Sequence, residues 1–494
     1  MHPFLILVLL FLPVLAAQQA DLAAKSRQGK ELMAAGKFRE AADVYQGLNK
    51  AVPNNPGLLM NLGMARFMGG QPEQAIPPLK AALKLQPGII PALLFLGTSY
   101  TQVGEPAKAI GPLEKVVAAQ PRMGQARQAL GDALTALDRF DEAAEQYREW
   151  AAIEPKNPRV YYSLGTTYEA AAQAAFEMIE KTAPESAYML ALVADVRETQ
   201  KQYSSAYYLY RKALERRPDM RGLHAGLARV YRATGHPDWA AKEEGMEKVV
   251  PPPDCRLHEL ECAYREGKFV QVTTLARGKN TPEALNWRSQ AFNQLALDAW
   301  SRLAALPPSL ESHEMLAHMY RAQGRHIEAV KEWKAALKFA PNDPDLETQL
   351  AVSMHQSRDY KSARTLLEKL IKKLPDSAEV NFYLGDSLLN MQQPEAAVPY
   401  LMKAAKLNPD FLPIHSALGR ALLQLRRGEE AIPHLKKALP LDDDGSLRFQ
   451  LARAYQAAGD RKAARDMTLK YREIRKELDA ARKALEAEAE ISAP

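Results

Sequence analysis

The chain has 494 residues, of which 47% are hydrophobic and 25% are charged, and its formal net charge is +6 at pH 7. This composition is ordinary for a soluble globular protein and excludes a disordered, collagen-like or disulfide-dense chain. A net charge of +6 over this length is too small to indicate a nucleic-acid-binding protein, in which basic residues collect on one face. Two cysteines cannot hold a chain of this size together, so its stability must come from packing.

The first 17 residues have the pattern of a secretory signal peptide. An apolar run over residues 4–15 is followed by the small residues Ala16 and Ala17 and then by the polar Gln18. This order predicts export to the periplasm or the cell exterior, with cleavage after Ala16 or Ala17. The alternative is an uncleaved membrane anchor, although the run is short for a segment that needs about 20 residues to span a bilayer. In that alternative the N-terminus is the membrane contact.

A period of 34 residues organises most of the remaining sequence. In the first half it relates Gly29, Gly63, Gly97, Gly131 and Gly165, then Ala41, Ala75, Ala109 and Ala143, and also Pro53, Pro87, Pro121 and Pro155. In the second half it relates Leu316, Leu350, Leu384 and Leu418, then Ala329, Ala363, Ala397 and Ala431, and also Pro341, Pro375 and Pro409. Interleaved series with one period indicate a repeat protein, in which each repeat packs against its neighbours.

Each repeat predicts two short helices. In one repeat, Leu59, Leu62 and Gly63 fall on one helical face, Gly70 provides a turn, and Pro87 ends the second helix. The small residues have a packing reason, because without a bulky side chain neighbouring helix backbones can approach closely. A helix of about 12 residues is marginal alone in water, so such helices must stack to be stable.

This pattern resembles the tetratricopeptide repeat. The resemblance rests on the series above, on the pairs Leu62-Gly63, Leu96-Gly97, Leu130-Gly131, Leu164-Gly165, Leu384-Gly385 and Leu418-Gly419, and on Tyr100, Tyr168, Tyr231, Tyr320 and Tyr455. It implies an all-α, right-handed superhelical solenoid of helix pairs. Near-full repeats start close to residues 22, 56, 90, 124, 187, 221, 310, 344, 378, 412 and 445.

The period breaks at three places, and the breaks suggest the domain order. Segments 158–184 and 282–307 lack the internal turn, so each predicts either one long helix or two helices with a tight joint. The resulting order is a signal peptide (1–17), a first repeat array (18–250), an irregular Cys-containing helix pair (251–281), a second repeat array (282–476), and a solvated C-terminal helix and tail (477–494).

The two cysteines lie in the irregular segment. Cys255, His258 and Cys262 would share one face of a helix, which suits zinc, but zinc sites favour closer cysteines, and we predict no metal. In a regular helix the two cysteine backbones would be ~10 Å apart, which is too far for a disulfide. If Cys255 instead precedes the helix, the chain can fold back, and an oxidising compartment favours the bond. A disulfide and two buried thiols both stay open.

The resemblance also locates a binding surface, because the first helix of each pair lines the inner groove in repeats of this kind. The candidate groove residues are Asn61, Phe95, Tyr162, Tyr188, Arg229, Arg232, His318, Arg321, Tyr383, Arg420, Phe449 and Arg453. The first half is neutral and aromatic, which suits an extended peptide or a helical segment with apolar anchors. The second half carries a line of arginines, which favours acidic groups. The alternative is a groove that is merely solvated.

The sequence therefore predicts a non-catalytic scaffold or adaptor of the bacterial cell envelope, with protein partners and with neither nucleic acid nor a cofactor. We predict no catalytic residue, since no nucleotide-binding, nucleophile-elbow or zinc-protease motif is present. One alternative is a module that binds an anionic envelope polymer or a lipid head group through the groove arginines. A more remote alternative is an accessory subunit of an envelope enzyme, such as a glycosyltransferase, with its site in 251–281.

Overall fold

The structure is a computed structural model that describes residues 20–488 and 490–494. The predicted signal peptide lies outside these residues. Over the described range the chain forms 26 α-helices and one short 3-10 turn, Leu439–Leu441, and it has no β-strand. The predicted all-α architecture of stacked helix pairs is confirmed. None of the described helices is both long and apolar enough to cross a lipid bilayer.

The helices group into two compact units, and each unit is made of two separate chain segments. The first unit comprises residues up to Ile179 together with Cys255–Arg302, and the second comprises Glu180–Asp254 together with Leu303–Pro494. This grouping does not follow the chain order of the predicted domains, whose boundaries stay a prediction.

The first unit contains α1 to α8, most of α9, and α14 to α16. Their bounds are 20–34 (α1), Phe38–Ala51 (α2), Pro56–Met68 (α3), Pro72–Leu85 (α4), Ile90–Gln102 (α5), Pro106–Ala119 (α6), Gly124–Thr135 (α7), Phe140–Ile153 (α8), Pro158–Thr182 (α9), Glu259–Arg265 (α14), Phe269–Ala276 (α15) and Pro282–Ala304 (α16).

The second unit contains α10 to α13 and α17 to α26. Their bounds are Ala187–Thr199 (α10), Tyr203–Arg216 (α11), Leu223–Ala233 (α12), Pro237–Val249 (α13), Leu310–Ala322 (α17), His326–Phe339 (α18), Pro344–Gln356 (α19), Tyr360–Lys373 (α20), Ala378–Asn390 (α21), Pro394–Leu407 (α22), Leu412–Gln424 (α23), Gly428–Ala438 (α24), Ser446–Ala457 (α25) and Arg461–Glu488 (α26).

The pair formed by α3 and α4 shows how the sequence produces one repeat. The side chain of Asn55 accepts hydrogen bonds from the backbone amides of Gly57 and Leu58 at 3.0 and 3.1 Å, which satisfies two donors at the start of α3. Gly70 has a φ of +74° in the turn between the helices, a conformation that favours glycine. The second helix ends just before Pro87, as the sequence predicts.

The regular spacing of the glycines is explained by a side chain that inserts against each of them. A Cβ atom on Gly63 would lie 2.4 Å from Cγ of Leu79, and one on Gly97 would lie 2.4 Å from Cγ of Leu113. In both repeats the inserted residue is on the second helix, 16 positions after the glycine. The predicted close approach of the paired helices is therefore present.

The two short repeats are two halves of one helix pair. Each is a single long helix, α9 and α16, and the two pack against each other although a long stretch of chain separates them. Ser289 Oγ donates to the carbonyl of Ala172 at 3.1 Å, and Trp300 Nε1 donates to Glu169 Oε1 at 2.8 Å. The indole of Trp300 covers Gly165, where a Cβ atom would lie 2.4 Å from the ring. The sequence did not predict this pairing.

The contact between Gly165 and Trp300 gives a test of the α9–α16 pairing. Gly165→Ala forces the indole to move, and overpacking of this kind costs about 1–3 kcal/mol of the free energy of unfolding. Gly111→Ala is the matched control, because this exposed glycine of α6 has no atom near the added methyl group. Alanine there should stabilise α6 by about 0.5–1 kcal/mol. Urea denaturation followed by circular dichroism measures both changes, and equal effects of the two substitutions would contradict the pairing.

Candidate functional site

The predicted groove residues lie on the first helices of their pairs or on α9, as the repeat pattern requires. Asn61, Phe95 and Tyr162 belong to the first unit, and the other candidates belong to the second. Phe95 packs edge-on against Phe67 with ring centroids 5.3 Å apart. Tyr162 likewise packs against an indole of α16. Contacts within the fold therefore cover part of the surface of these aromatic side chains.

Tyr188 is less available to a partner than the sequence suggests. Only 8% of its surface is exposed, and the guanidinium of Arg217 lies 5.7 Å from the centre of its ring. The side chain therefore contributes to the packing of α10 rather than to an open groove.

Arg229 is bound within the second unit. Its guanidinium donates to both carboxylate oxygens of Glu198 at 2.8 Å and to Asp195 Oδ1 at 3.1 Å. The hydroxyl of Tyr210 joins the same cluster by donating to Asp195 at 2.6 Å. Burial raises the pKa of Asp195 above its usual range, against the opposing effects of Tyr210 and Arg229. Two carboxylates on one guanidinium leave little charge to attract an anionic ligand.

Arg420 is held in the same way. Its Nη2 donates to Asp386 Oδ1 at 2.7 Å, and His355 Nε2 lies 3.2 Å from the other oxygen of this carboxylate. Burial alone would raise the pKa of Asp386, but the hydrogen bond from His355 and the charge of Arg420 outweigh it and lower the pKa. Asp386 and His355 were not among the predicted site residues.

Arg321 and Arg232 also have partners. Arg321 donates to Gln349 Oε1 at 2.6 Å and to His318 Nδ1 at 2.9 Å, and Arg232 donates to Glu244. Burial of the ring, together with the charge of Arg321, lowers the pKa of His318 to about 4. Nearby polar and acidic side chains therefore bind Arg229, Arg232, Arg321 and Arg420 within the fold, and their contact with a partner stays a prediction.

Arg453 is different, because it opens onto a basic cleft between α25 and α26. The cleft has a volume of about 820 Å³ and is lined by four arginines, Arg453, Arg461, Arg465 and Arg472. Its lining contains no Asp or Glu, and no ion pair joins these arginines to any side chain that the structure describes. We call this site the arginine cleft.

Two apolar side chains also line the arginine cleft. Phe449, a predicted groove residue, is 46% exposed, and Leu469 is 55% exposed. The sequence signal that could have found the cleft is the spacing of Arg461, Arg465 and Arg472, which places them on one face of α26. The cleft was not predicted, because the C-terminal helix was expected only to be solvated.

Tyr383 packs against the imidazole of His355 with ring centroids 5.2 Å apart. Burial raises the pKa of the Tyr383 hydroxyl above its ordinary value. This candidate therefore lies beside the ion pair of Asp386 and Arg420 rather than on an open surface.

Cys255 and Cys262 form a disulfide, with their Cα atoms 5.7 Å apart. The bond is possible because Cys255 lies in a turn before α14, so that the chain folds back onto the helix. His258 lies 3.1 Å from a carboxylate oxygen of Glu283. Within residues 20–488 and 490–494, no group of three or more His, Cys, Asp or Glu residues could hold a metal ion.

Family comparisons match several parts of the chain. Models described as tetratricopeptide or TPR repeats match residues 26–88, 131–171, 320–382 and 445–468. A model described as anaphase-promoting complex, cyclosome, subunit 3 matches residues 356–438. Together these matches cover half of the chain. No curated protein matches it.

Among solved structures, the chain is similar to MamA from Desulfovibrio magneticus RS-1, with 23% identity over 34% of this chain and 97% of that one. A second structure, MamA MSR-1, is 27% identical over 34% of this chain and 97% of its own. A thermophilic TPR protein of Thermus thermophilus is 22% identical over 37% of this chain and 100% of its own. The TM-scores are 0.32, 0.31 and 0.29, and at these values the likeness carries no argument about function.

The depressed pKa of His318 predicts how stability depends on pH. An unfolded histidine titrates near pH 6.5, whereas His318 in the folded chain stays neutral down to about pH 4. The unfolded state therefore binds more protons between these values, and stability must fall as the pH is lowered from 6.5 to 4. His318→Asn keeps an acceptor for Arg321 and should make this fall smaller in thermal denaturation curves. His326→Asn, on the partner helix α18, is the control, and an equal reduction in both variants would contradict the assignment.

Proposed function

Because this chain belongs to the tetratricopeptide repeat family, we propose that it is a non-catalytic scaffold that binds other proteins in the bacterial cell envelope. Proteins of this family generally bind protein partners and are generally not catalytic. The observation that carries the proposal is the arginine cleft, in which exposed apolar groups and arginines lie side by side in a lining that contains no Asp or Glu.

The chemistry of the cleft indicates the kind of partner. Arg453, Arg465 and Arg472 offer guanidinium groups that match carboxylates, and Arg–carboxylate pairs are often bidentate. Phe449 and Leu469 offer apolar surface that a purely charged ligand would not use. An acidic protein segment with at least one large apolar side chain satisfies both features. Aromatic and arginine side chains are also the types that contribute most at protein interfaces.

Two features support export. The sequence begins with the pattern of a signal peptide, and the chain contains a disulfide between Cys255 and Cys262. Disulfides persist in oxidising environments such as the periplasm and are rare in the cytosol. The proposal therefore locates the scaffold in the periplasm or outside the cell.

The second candidate function is binding of an anionic envelope polymer or a lipid head group, and the same arginines favour it. Such a ligand would depend on the charges of the cleft but not on Phe449 and Leu469. Its affinity would also fall steeply with salt, because exposed charges are screened. This difference separates the two candidates experimentally.

The test is a pull-down from a detergent-solubilised envelope fraction, with the chain from Gln18 onward as bait. Arg465→Glu with Arg472→Glu reverses two charges inside the cleft, and Phe449→Ala with Leu469→Ser removes its apolar groups. For an acidic protein partner, we expect each double variant to retain at least tenfold less of it. The loss of charge-assisted hydrogen bonds and of buried apolar area explains this magnitude.

The matched control is Lys470→Glu with Lys476→Glu, which makes the same charge change on the same helix outside the cleft lining. This control should retain the partner. If the control variant lost the partner equally, the effect would come from the net charge of the chain rather than from the cleft. Retention of the partner by both cleft variants would place its binding elsewhere. Retention of no specific protein by the unchanged chain would favour the anionic polymer.

A further inference from the structure

The segment after α26 turns back onto the helices near the middle of the sequence. Residues 490–494, which we call the tail, lie against α11 and α12 in the second unit. The contacts join residues that are 261 and 285 positions apart in the chain. The tail forms no helix, so its backbone groups can bond to other parts of the fold.

Ser492 is bound at all of its polar groups. The Tyr231 hydroxyl donates to its carbonyl at 2.8 Å, and its amide donates to the Tyr207 hydroxyl at 3.4 Å. Arg211 Nη1 also donates to this hydroxyl, at 2.9 Å. Because the Tyr207 oxygen accepts both of these bonds, its own proton is directed at Ser492 Oγ, which lies 2.9 Å away. A serine is thus recognised through both its main chain and its side chain.

The residues before Ser492 add an apolar contact by Ile491 and bring the Glu490 carboxylate to a cleft that Arg211, Lys212 and Glu215 also line. Ile491 packs against the apolar core of α10 to α13, which includes Tyr207 and Tyr231. Glu490 lines the same cleft as Arg211, and the cleft has a volume of about 350 Å³. The three tail residues therefore present an acidic group, an aliphatic group and a serine in sequence to complementary surfaces.

Of the two tyrosines, Tyr207 is unusual within the repeat array. At the position of Tyr207, five other repeats have a branched aliphatic residue: Ile76, Ile110, Val330, Val398 and Ile432. Tyr231 occupies a position at which other repeats also have tyrosine. The hydroxyl of Tyr207 is thus the departure from the repeat pattern, and it makes three of the polar contacts at the site.

We propose that α11 and α12 form a binding site for an extended peptide with the order acidic, aliphatic, serine, and that residues 490–492 occupy this site in cis. The site does not overlap the arginine cleft and does not depend on the proposed function. A tethered segment acts at an effective concentration in the millimolar range, so even a weak peptide site is filled by its own chain. An external ligand must therefore displace the tail.

The test uses the full chain and a labelled peptide that has the sequence of residues 484–494 with both ends blocked. Ile491→Asp with Ser492→Pro releases the tail, because it removes the apolar contact, the amide donor of Ser492 and its hydroxyl acceptor. The released-tail chain should bind the peptide at least tenfold more tightly than the unchanged chain in fluorescence anisotropy. A peptide that carries the same two changes should not bind, and circular dichroism checks that the variant is folded.

The site itself is tested in the released-tail chain by Tyr207→Phe with Tyr231→Phe, which keeps both rings and removes both hydroxyls. Peptide affinity should fall at least tenfold, because the hydrogen bonds to Ser492 are lost. Tyr203→Phe, on the same helix, is the matched control and should leave the affinity unchanged. A fall in the control equal to that in the double variant would overturn the assignment of the two hydroxyls.

Three other results would overturn the proposal. If the released-tail chain did not bind the peptide, the proposed binding site would not exist. If the unchanged and released-tail chains bound the peptide equally, the tail would not occupy the site in cis. Dimers of the unchanged chain that dissociate on tail release, seen by light scattering, would show that the tail binds a second copy instead. Partner retention at the arginine cleft is measured separately, so failure here leaves the proposed function intact.

Discussion

In several helix pairs, one large side chain of the second helix inserts against a glycine of the first. A helix of 12–14 residues does not persist alone in water, so every helix must bury a face against its partner. Leu79 and Leu113 do this over Gly63 and Gly97, and Tyr147 does it over Gly131. Repetition of this contact in successive pairs accounts for the 34-residue spacing of the glycines in the first half of the chain.

That contact also explains which parts of the fold could be predicted from the sequence. The helix pairs could be predicted because the glycine and its partner lie 16 positions apart within one period. At Gly165 the residue 16 positions later is Lys181, which cannot fill an apolar gap, and Trp300 takes its place. A contact with a residue from a distant segment cannot be predicted from the repeat period. The disulfide could not be predicted either, because it depends on where α14 begins, and helix boundaries are weakly specified by sequence.

In the candidate site, too, the repeat period could predict some contacts and not others. Arg229 and Asp195 are 34 residues apart, and so are Arg420 and Asp386, so each arginine faces an acid at the equivalent position of the preceding repeat. The period itself could have predicted these pairs. One repeat before Arg453 the corresponding residue is Arg420, which is basic, and this explains why Arg453 is left open. The tail contact could not be foreseen, because hydrogen bonds to one serine have no repeat signature.

The pairing of α9 with α16 fixes an order of events during synthesis. When α9 leaves the ribosome, the indole that covers Gly165 has not yet been made, because Trp300 lies 135 residues further along the chain. At typical rates of synthesis this interval lasts about 7–27 s. Throughout it the face of α9 that packs against α16 has no native partner, whereas α10 to α13 can already fold from local contacts. The first unit, although it contains the start of the described chain, is therefore completed after helices that follow it in the sequence.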